Sequence, residues 1–258
     1  VLQLPAADID IATDATPEQV VTIADQSGFR PVPTGIVHGT VTVVIDGHAF
    51  EVTTFRRDVE TDGRRAVVAF SRDVAEDARR RDFTMNAIYA DRTGAIVDPL
   101  DGMPDLRAGR VRFIEDAGQR IREDYLRSLR YFRFCAWYGD PANGFDADAL
   151  DAIARNLDGL ETLSRERVGS EVKRLLEALD PAPAVAVMRA TGVLAQVLPG
   201  AMDAGLAPLV HLEDGLAPDP IRRLAVLGGE DVSERLRLSR KEAVALERLR
   251  GALGLAPG

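Results

Sequence analysis

Ala7-Asp8-Ile9-Asp10-Ile11-Ala12 alternates polar and apolar residues around β-branched isoleucine, the pattern of a half-buried strand. Side chains two apart on a strand share a face. Asp8 and Asp10 are therefore expected on one face, and Ile9 and Ile11 in the core. Two carboxylates a few ångströms apart repel unless a cation sits between them. Hard oxygen donors of this kind suit Mg²⁺, which keeps several waters and takes phosphate oxygens as further ligands. The pattern points to metal-assisted phosphoryl or nucleotidyl transfer. Taken alone, it also fits a solvated strand end, so the rest of the chain has to decide.

Working outward, Thr16-Pro17-x-Gln19 reads as a capping box with proline at N1, opening a helix over 16–28 that Gly28 stops. Residues 36–45 alternate and are β-branched, Asp46-Gly47 is a hairpin signal, and a second strand runs from His48 to Phe55. Glu51 lies on that second strand. It is either an ordinary outward-facing glutamate or the third member of a carboxylate trio with Asp8 and Asp10. Residues 56–78 carry mixed charge with a turn signal at Thr61-Asp62-Gly63, and read as a loop or lid. Strand-like pieces follow at 87–91 and 94–98. From about 109 the pattern is helical, with segments expected at 121–138, 147–157, 164–179, 183–191, 219–227 and 239–253. In the first of these, Ile121, Tyr125, Leu129, Phe132 and Ala136 form one apolar stripe. Asp124 and Arg127, three apart, are expected as helical neighbours away from it.

The chain has 258 residues with a formal net charge of −9, which argues against a protein that coats nucleic acid indiscriminately. Its arginines are clustered, however, at 79–81, 107–112, 120–122 and 127–133, consistent with a local basic groove on an acidic body. The one cysteine, Cys135, excludes an internal disulfide and makes a reducing cytosol the natural compartment. Its neighbours Phe134, Ala136 and Trp137 suit a buried, inert thiol. His38, His48 and His211 lack metal-ligand spacing. No stretch is long and apolar enough to span a membrane.

Five motifs occur in order: Asp8-x-Asp10; Arg80-Arg81-Asp82-Phe83-Thr84-Met85-Asn86-Ala87; Asp98-Pro99-Leu100-Asp101-Gly102; Glu123-Asp124-Tyr125-Leu126-Arg127; and Glu166-Arg167-Val168-Gly169-Ser170-Glu171-Val172-Lys173-Arg174-Leu175-Leu176. Together they resemble the class II tRNA nucleotidyltransferase and poly(A) polymerase family of polymerase-β-like nucleotidyltransferases. The resemblance implies an α+β fold. A polymerase-β-like head with a small mixed sheet would span 1–108, a helical neck with the nucleotide-selecting helix 109–180, and a helical body 181–258. It implies CCA addition to the 3′ end of tRNA from CTP and ATP. Asp8 and Asp10 would hold Mg²⁺, with Glu51 as a further catalytic carboxylate. Arg81, Asp82 and Asn86 would line the nucleotide's sugar and phosphates, and Asp124, Arg127 and Arg130 would complete the nucleotide site. Residues 56–78 would correspond to the loop that assists the switch from C to A, and the fifth motif to a helix-stabilising one.

Base selection has a physical rationale. Adenine and cytosine both present an amino donor beside a ring-nitrogen acceptor, which a carboxylate and a guanidinium can read. Guanine and uracil present the reverse, at a cost of roughly 1–3 kcal/mol per lost hydrogen bond. A surface ion pair at that spacing would be worth only ~0.3–0.5 kcal/mol. The same pair serves an enzyme adding only adenosine, only CC or only A equally well. The hairpin stretch, Gly35 to Arg56, is more similar to CCA-adding members. An inactive RNA-binding module and a non-enzymatic adaptor are the rivals from other classes. The family's Gly-Gly-x-Val-Arg-like segment and its last helices fall outside this sequence, so the chain reads as a truncated form.

Overall fold

The computed structural model describes residues 9–62 and 65–254. The chain divides into two units, Val1–Arg107 and Ala108–Gly258.

The first unit contains a four-stranded mixed sheet. β1 (Asp10–Thr13) leads to α1 (Pro17–Gln26), and β2 (Arg30–Gly35), β3 (Thr40–Ile45) and β4 (His48–Thr54) follow. The strand order is β1-β4-β3-β2, with β1 parallel to β4 and the remaining pairs antiparallel. α1 begins as its sequence dictates. Thr16 accepts from the Gln19 amide, the Gln19 side chain returns to the Thr16 amide at 2.9 Å, and Pro17 occupies the first turn. The β3–β4 turn puts Asp46 and Gly47 at φ 50° and 81°, the left-handed pair of a type I′ hairpin. Val20 and Ala24 of α1 pack on Val41 and Val43 of β3, with Ile45 and Val52 at the margin.

Two expectations differ from the structure, and one strand was not foreseen. Ile9 and Ile11 are not core residues but 64% and 41% exposed, because α1 covers β3 and leaves β1, an edge strand, largely open. β2 is a strand that Pro31 and Pro33 concealed; it too lies at an edge, where proline is tolerated. Residues 56–78 are not a loop. β5 (Arg56–Asp62) and β6 (Arg65–Phe70) pair as an antiparallel hairpin, followed by α2 (Val74–Arg79). The unit ends with the two-stranded β7 (Tyr89–Ala90) and β8 (Ile96–Val97), then α3 (Met103–Ala108).

In the second unit the named elements are helices: α4 (Ala117–Glu123), α5 (Leu126–Tyr138), α6 (Ala147–Arg155), α7 (Arg165–Leu176), α8 (Ala182–Ala190), α9 (Val193–Val197), α10 (Leu206–Leu212), α11 (Pro220–Leu227), α12 (Val232–Arg235) and α13 (Arg240–Ala252). The small mixed sheet followed by helices is the α+β class expected. Ile121, Leu129 and Phe132 are buried as the apolar stripe requires. The expected single helix over 121–138 is broken, however. Asp124 is extended, with φ −155° and ψ 104°, and its carboxylate accepts from the Leu126 amide at 3.2 Å, starting α5 afresh. Asp124 and Arg127 are thus not neighbours on one helical face. Arg223, 1% exposed, spans from Glu213 to the carbonyls of Leu176, Ala178 and Leu179, tying α11 to the end of α7. Cys135 is half-buried, and burial pushes its thiol up to about 12, as expected for an inert cysteine. Among the described residues no helix is long and apolar enough to cross a membrane.

Candidate active site

Parallel pairing of β1 with β4 sets Asp10 directly beside Glu51. Paired residues on neighbouring strands project from the same face. Val41, paired with Val52, belongs to the α1-covered side, so Asp10, Glu51 and Thr42 occupy the other. Both carboxylates are exposed. Adjacent, accessible hard-oxygen donors fit a hydrated divalent cation such as Mg²⁺. Asp8 lies outside the described residues. Among those described, no group of three metal-ligating side chains occurs.

The Arg-rich motif is organised by a residue that motif reading missed. Asp77, 2% exposed, lies on α2, and helical spacing brings Arg80 and Arg81 back onto it. Its Oδ1 accepts from Arg80 Nε at 3.0 Å and from the Arg56 amide at 3.1 Å. Its Oδ2 accepts from Arg81 Nη2 at 3.2 Å and from the Tyr89 hydroxyl at 2.8 Å. Burial alone would raise the Asp77 pKa. Arg80, the Tyr89 hydrogen bond and Arg81 outweigh it and hold the carboxyl below the usual aspartate range. Burial, reinforced by the Asp77 charge, pushes the Tyr89 hydroxyl up, so it stays a donor. The Arg81 guanidinium lies 4.9 Å from the Tyr89 ring centre and donates to the Asn86 carbonyl at 3.3 Å. Arg81 is thus braced on several sides while its side chain stays 34% exposed. The signal for Asp77 was present in sequence, as an acid three and four residues before two arginines.

Asp82 is buried and braces the motif from within. It accepts from the Phe83 amide at 2.9 Å and the Asn86 side-chain amide at 2.8 Å. Thr84 donates to Asp105 at 2.6 Å. At Gly102 a Cβ would fall 2.1 Å from the Thr84 carbonyl oxygen, which only glycine avoids.

In the helical unit Asp124 and Arg127 each have a separate ion partner. Asp124 accepts from Arg167 Nη2 at 2.7 Å. Arg127 reaches Glu123 at 2.6 Å and the Arg120 carbonyl at 3.0 Å. Arg130 lies 3.8 Å from Glu171, which also accepts from Arg133 at 2.6 Å. Glu171 is 5% exposed, and this buried carboxylate fixes both arginines between α5 and α7. Arg120 and Glu123 were also missed as members of the network.

Residues 1–112 match the family described as the poly A polymerase head domain, and residues 144–204 one described as a probable RNA and SrmB binding site of polymerase A. The chain is 38% identical over 250 residues to the mouse protein named CCA tRNA nucleotidyltransferase 1, mitochondrial, covering 91% of this chain and 56% of the relative. It is 39% identical to the CCA-adding enzyme of Geobacillus thermodenitrificans, over 78% of this chain and 48% of that one. The chain thus spans about half the length of these relatives. The solved structure of the Bacillus stearothermophilus CCA-adding enzyme in complex with CTP aligns with a TM-score of 0.77 at 34% identity. That alignment covers 97% of this chain and 62% of that structure. On these grounds the chain belongs to the tRNA nucleotidyltransferase and poly(A) polymerase family.

Proposed function

We propose that this chain adds C, C and A to the 3′ end of tRNA from CTP and ATP, without a nucleic-acid template, by Mg²⁺-dependent nucleotidyl transfer. The observation that carries the reading is the pairing of exposed Asp10 with exposed Glu51 on one sheet face, in a chain whose relatives are named CCA-adding enzymes. Asp10 and Glu51, joined by Asp8 as the sequence motif implies, would hold Mg²⁺. The ion supplies neutralisation of triphosphate charge and a lowered pKa for the primer hydroxyl. In the transfer the primer 3′-oxygen attacks the α-phosphorus, the bond to the β-phosphate breaks, and pyrophosphate leaves. The hydroxyl proton passes to a carboxylate of that face.

Arg81, braced by Asp77 and Tyr89, is suited to bind nucleotide phosphate or sugar oxygens with a guanidinium that need not reorganise. Asp82 and Asn86 shape the turn that carries it. Arg130 is the further cation assigned to the nucleotide. Asp124 and Arg127 read the base edge. Two donors already reach the Asp124 carboxylate, but a carboxylate has about four acceptor directions. An amino group of adenine or cytosine can therefore join them. A poly(A) polymerase reading is favoured by the names of the two matching families alone. A cytosolic setting goes with the proposal, since one cysteine leaves no disulfide to maintain; the mouse relative is named as mitochondrial, and cell fractionation decides between them.

The test is primer extension on tRNA lacking its CCA end, with Mg²⁺ and CTP, ATP or both. Two additions with CTP alone and three with both are expected, and Asp10→Ala should abolish them while the fold is retained. A long adenosine ladder from ATP alone would establish the poly(A) reading instead. Near-normal turnover in Asp10→Ala would sink the metal assignment.

A further inference from the structure

The cations of α7 are nearly all engaged with carboxylates. Arg165 is held by Glu234, Arg167 by Asp124 and Lys173 by Glu242. Arg174 is the exception. It is exposed, and its side chain makes no ion pair or hydrogen bond among the described residues. Beside it lies Trp137, on the last turn of α5 and 43% exposed. The indole Nε1–H donates to the Arg174 main-chain carbonyl at 2.7 Å. The polar edge of the ring is therefore already satisfied, and the apolar ring itself supplies the exposed surface. One such side chain would need no explanation on its own. Here it is fastened to the backbone of a residue whose own guanidinium is exposed and unpaired among the described residues, on a chain of net charge −9.

The surroundings add positive charge. One and two turns back along α5, Arg133 and Arg130 share the buried Glu171. Their Cζ atoms lie 4.8 and 5.5 Å from the Phe134 ring centre. A π-face held in place on an element that also carries an accessible cation is the arrangement by which proteins grip a single strand. The base stacks on the aromatic ring, and the phosphate meets arginine. The thirteen residues of α5 separate this end from Asp124 by about 20 Å. Arginines 127, 130 and 133 lie between.

We infer that Trp137 and Arg174 form an RNA subsite at the far end of the α5–α7 seam, where an unpaired nucleotide of the bound strand stacks on the indole and sets its phosphate on Arg174. The inference rests on the tRNA-directed reading above and extends it to a location that reading does not include. The stretch matching the RNA and SrmB binding family contains Arg174 but not Trp137.

Trp137 is the chain's one tryptophan, so its fluorescence reports the site directly. Labelled single-stranded oligoadenylate and tRNA lacking CCA would be titrated into the whole chain at several salt concentrations. Anisotropy of the label and emission of the tryptophan would be read together. Saturable change of Trp137 emission alongside the anisotropy change is expected. Trp137→Leu should bind roughly fivefold to a hundredfold more weakly, while Trp137→Phe, which keeps an aromatic face, should stay near wild type. Arg174→Ala keeps the carbonyl that anchors the indole, and should reduce the salt slope by about one. CTP binding should be unchanged in all three. RNA binding with unaltered emission, and equal affinity in Trp137→Leu and Arg174→Ala, would overturn the subsite while leaving the tRNA reading intact. That is also the result if Trp137 anchors a protein partner instead. Absence of RNA binding by the wild type would overturn both.

Discussion

Asp77 shows how a single buried carboxylate can govern a motif made of arginines. Five donor atoms converge on it, three of them from Arg80 and Arg81. Removing its charge leaves two guanidinium groups near a buried neutral group, the costly way to break an ion pair. Because Arg80 and Arg81 are 21% and 34% exposed, water screens part of that cost. Asp77→Asn is expected to lower stability by about 2 kcal/mol at neutral pH, and to raise KM for CTP as Arg81 loses its brace. The pH dependence has a defined sign. The folded-state pKa lies below the ordinary aspartate value of about 3.9, so the contribution is complete above that value. It is lost as pH falls through the lowered folded-state value. Urea denaturation of wild type and variant should therefore show a gap that closes under acid conditions. A gap that persists unchanged there would refute the charge-based account.

Elements follow local rules wherever their ends are chemically marked. α1 has its capping box, and α13 has Ser239 and Glu242 reciprocally bonded in the same way. The β3–β4 turn has the residues a type I′ hairpin demands. Other elements carry no such mark. β5 is rich in charge and reads as a loop, yet its backbone is satisfied by pairing with β6. The interruption between α4 and α5 is likewise tertiary in part, since Asp124 both starts α5 and holds Arg167 of α7. Close packing of helices can be equally invisible in one helix's sequence. At Gly169 of α7 a Cβ would fall 1.9 Å from the Leu236 carbonyl oxygen beside α12. Gly169→Ala should improve intrinsic helix propensity, yet lower stability by about 2 kcal/mol through overpacking. Thermal denaturation monitored by circular dichroism would check the sign, and a stabilised variant would refute the contact.

At the scale of the molecule, an acidic chain places paired carboxylates on its head sheet and concentrates arginine between α5 and α7. Under the proposed function, the carboxylates would face metal-bound triphosphate and the arginines RNA phosphate. Neither core of the described residues is built around a metal cluster. Chelation with EDTA is therefore expected to stop nucleotide addition while leaving the melting temperature within a degree or so, because Asp10 and Glu51 are exposed and lose no packing. A large drop in melting temperature on chelation would show that a metal is structural instead.

The amino-acid sequence by itself determined the α+β class, the capped α1, the β3–β4 hairpin, and the order of motifs that identified the family. These are local or linear properties, carried by periodicity, turn chemistry and residue order. Tertiary structure alone decided that Glu51 stands beside Asp10, because strand register is set by pairing between segments remote in sequence. It also decided that Asp77 anchors the arginines, that Asp124 breaks a helix, and that Trp137 lies against Arg174. Each of those depends on which groups meet when separate elements pack, and burial then determines which of the meetings carry energy.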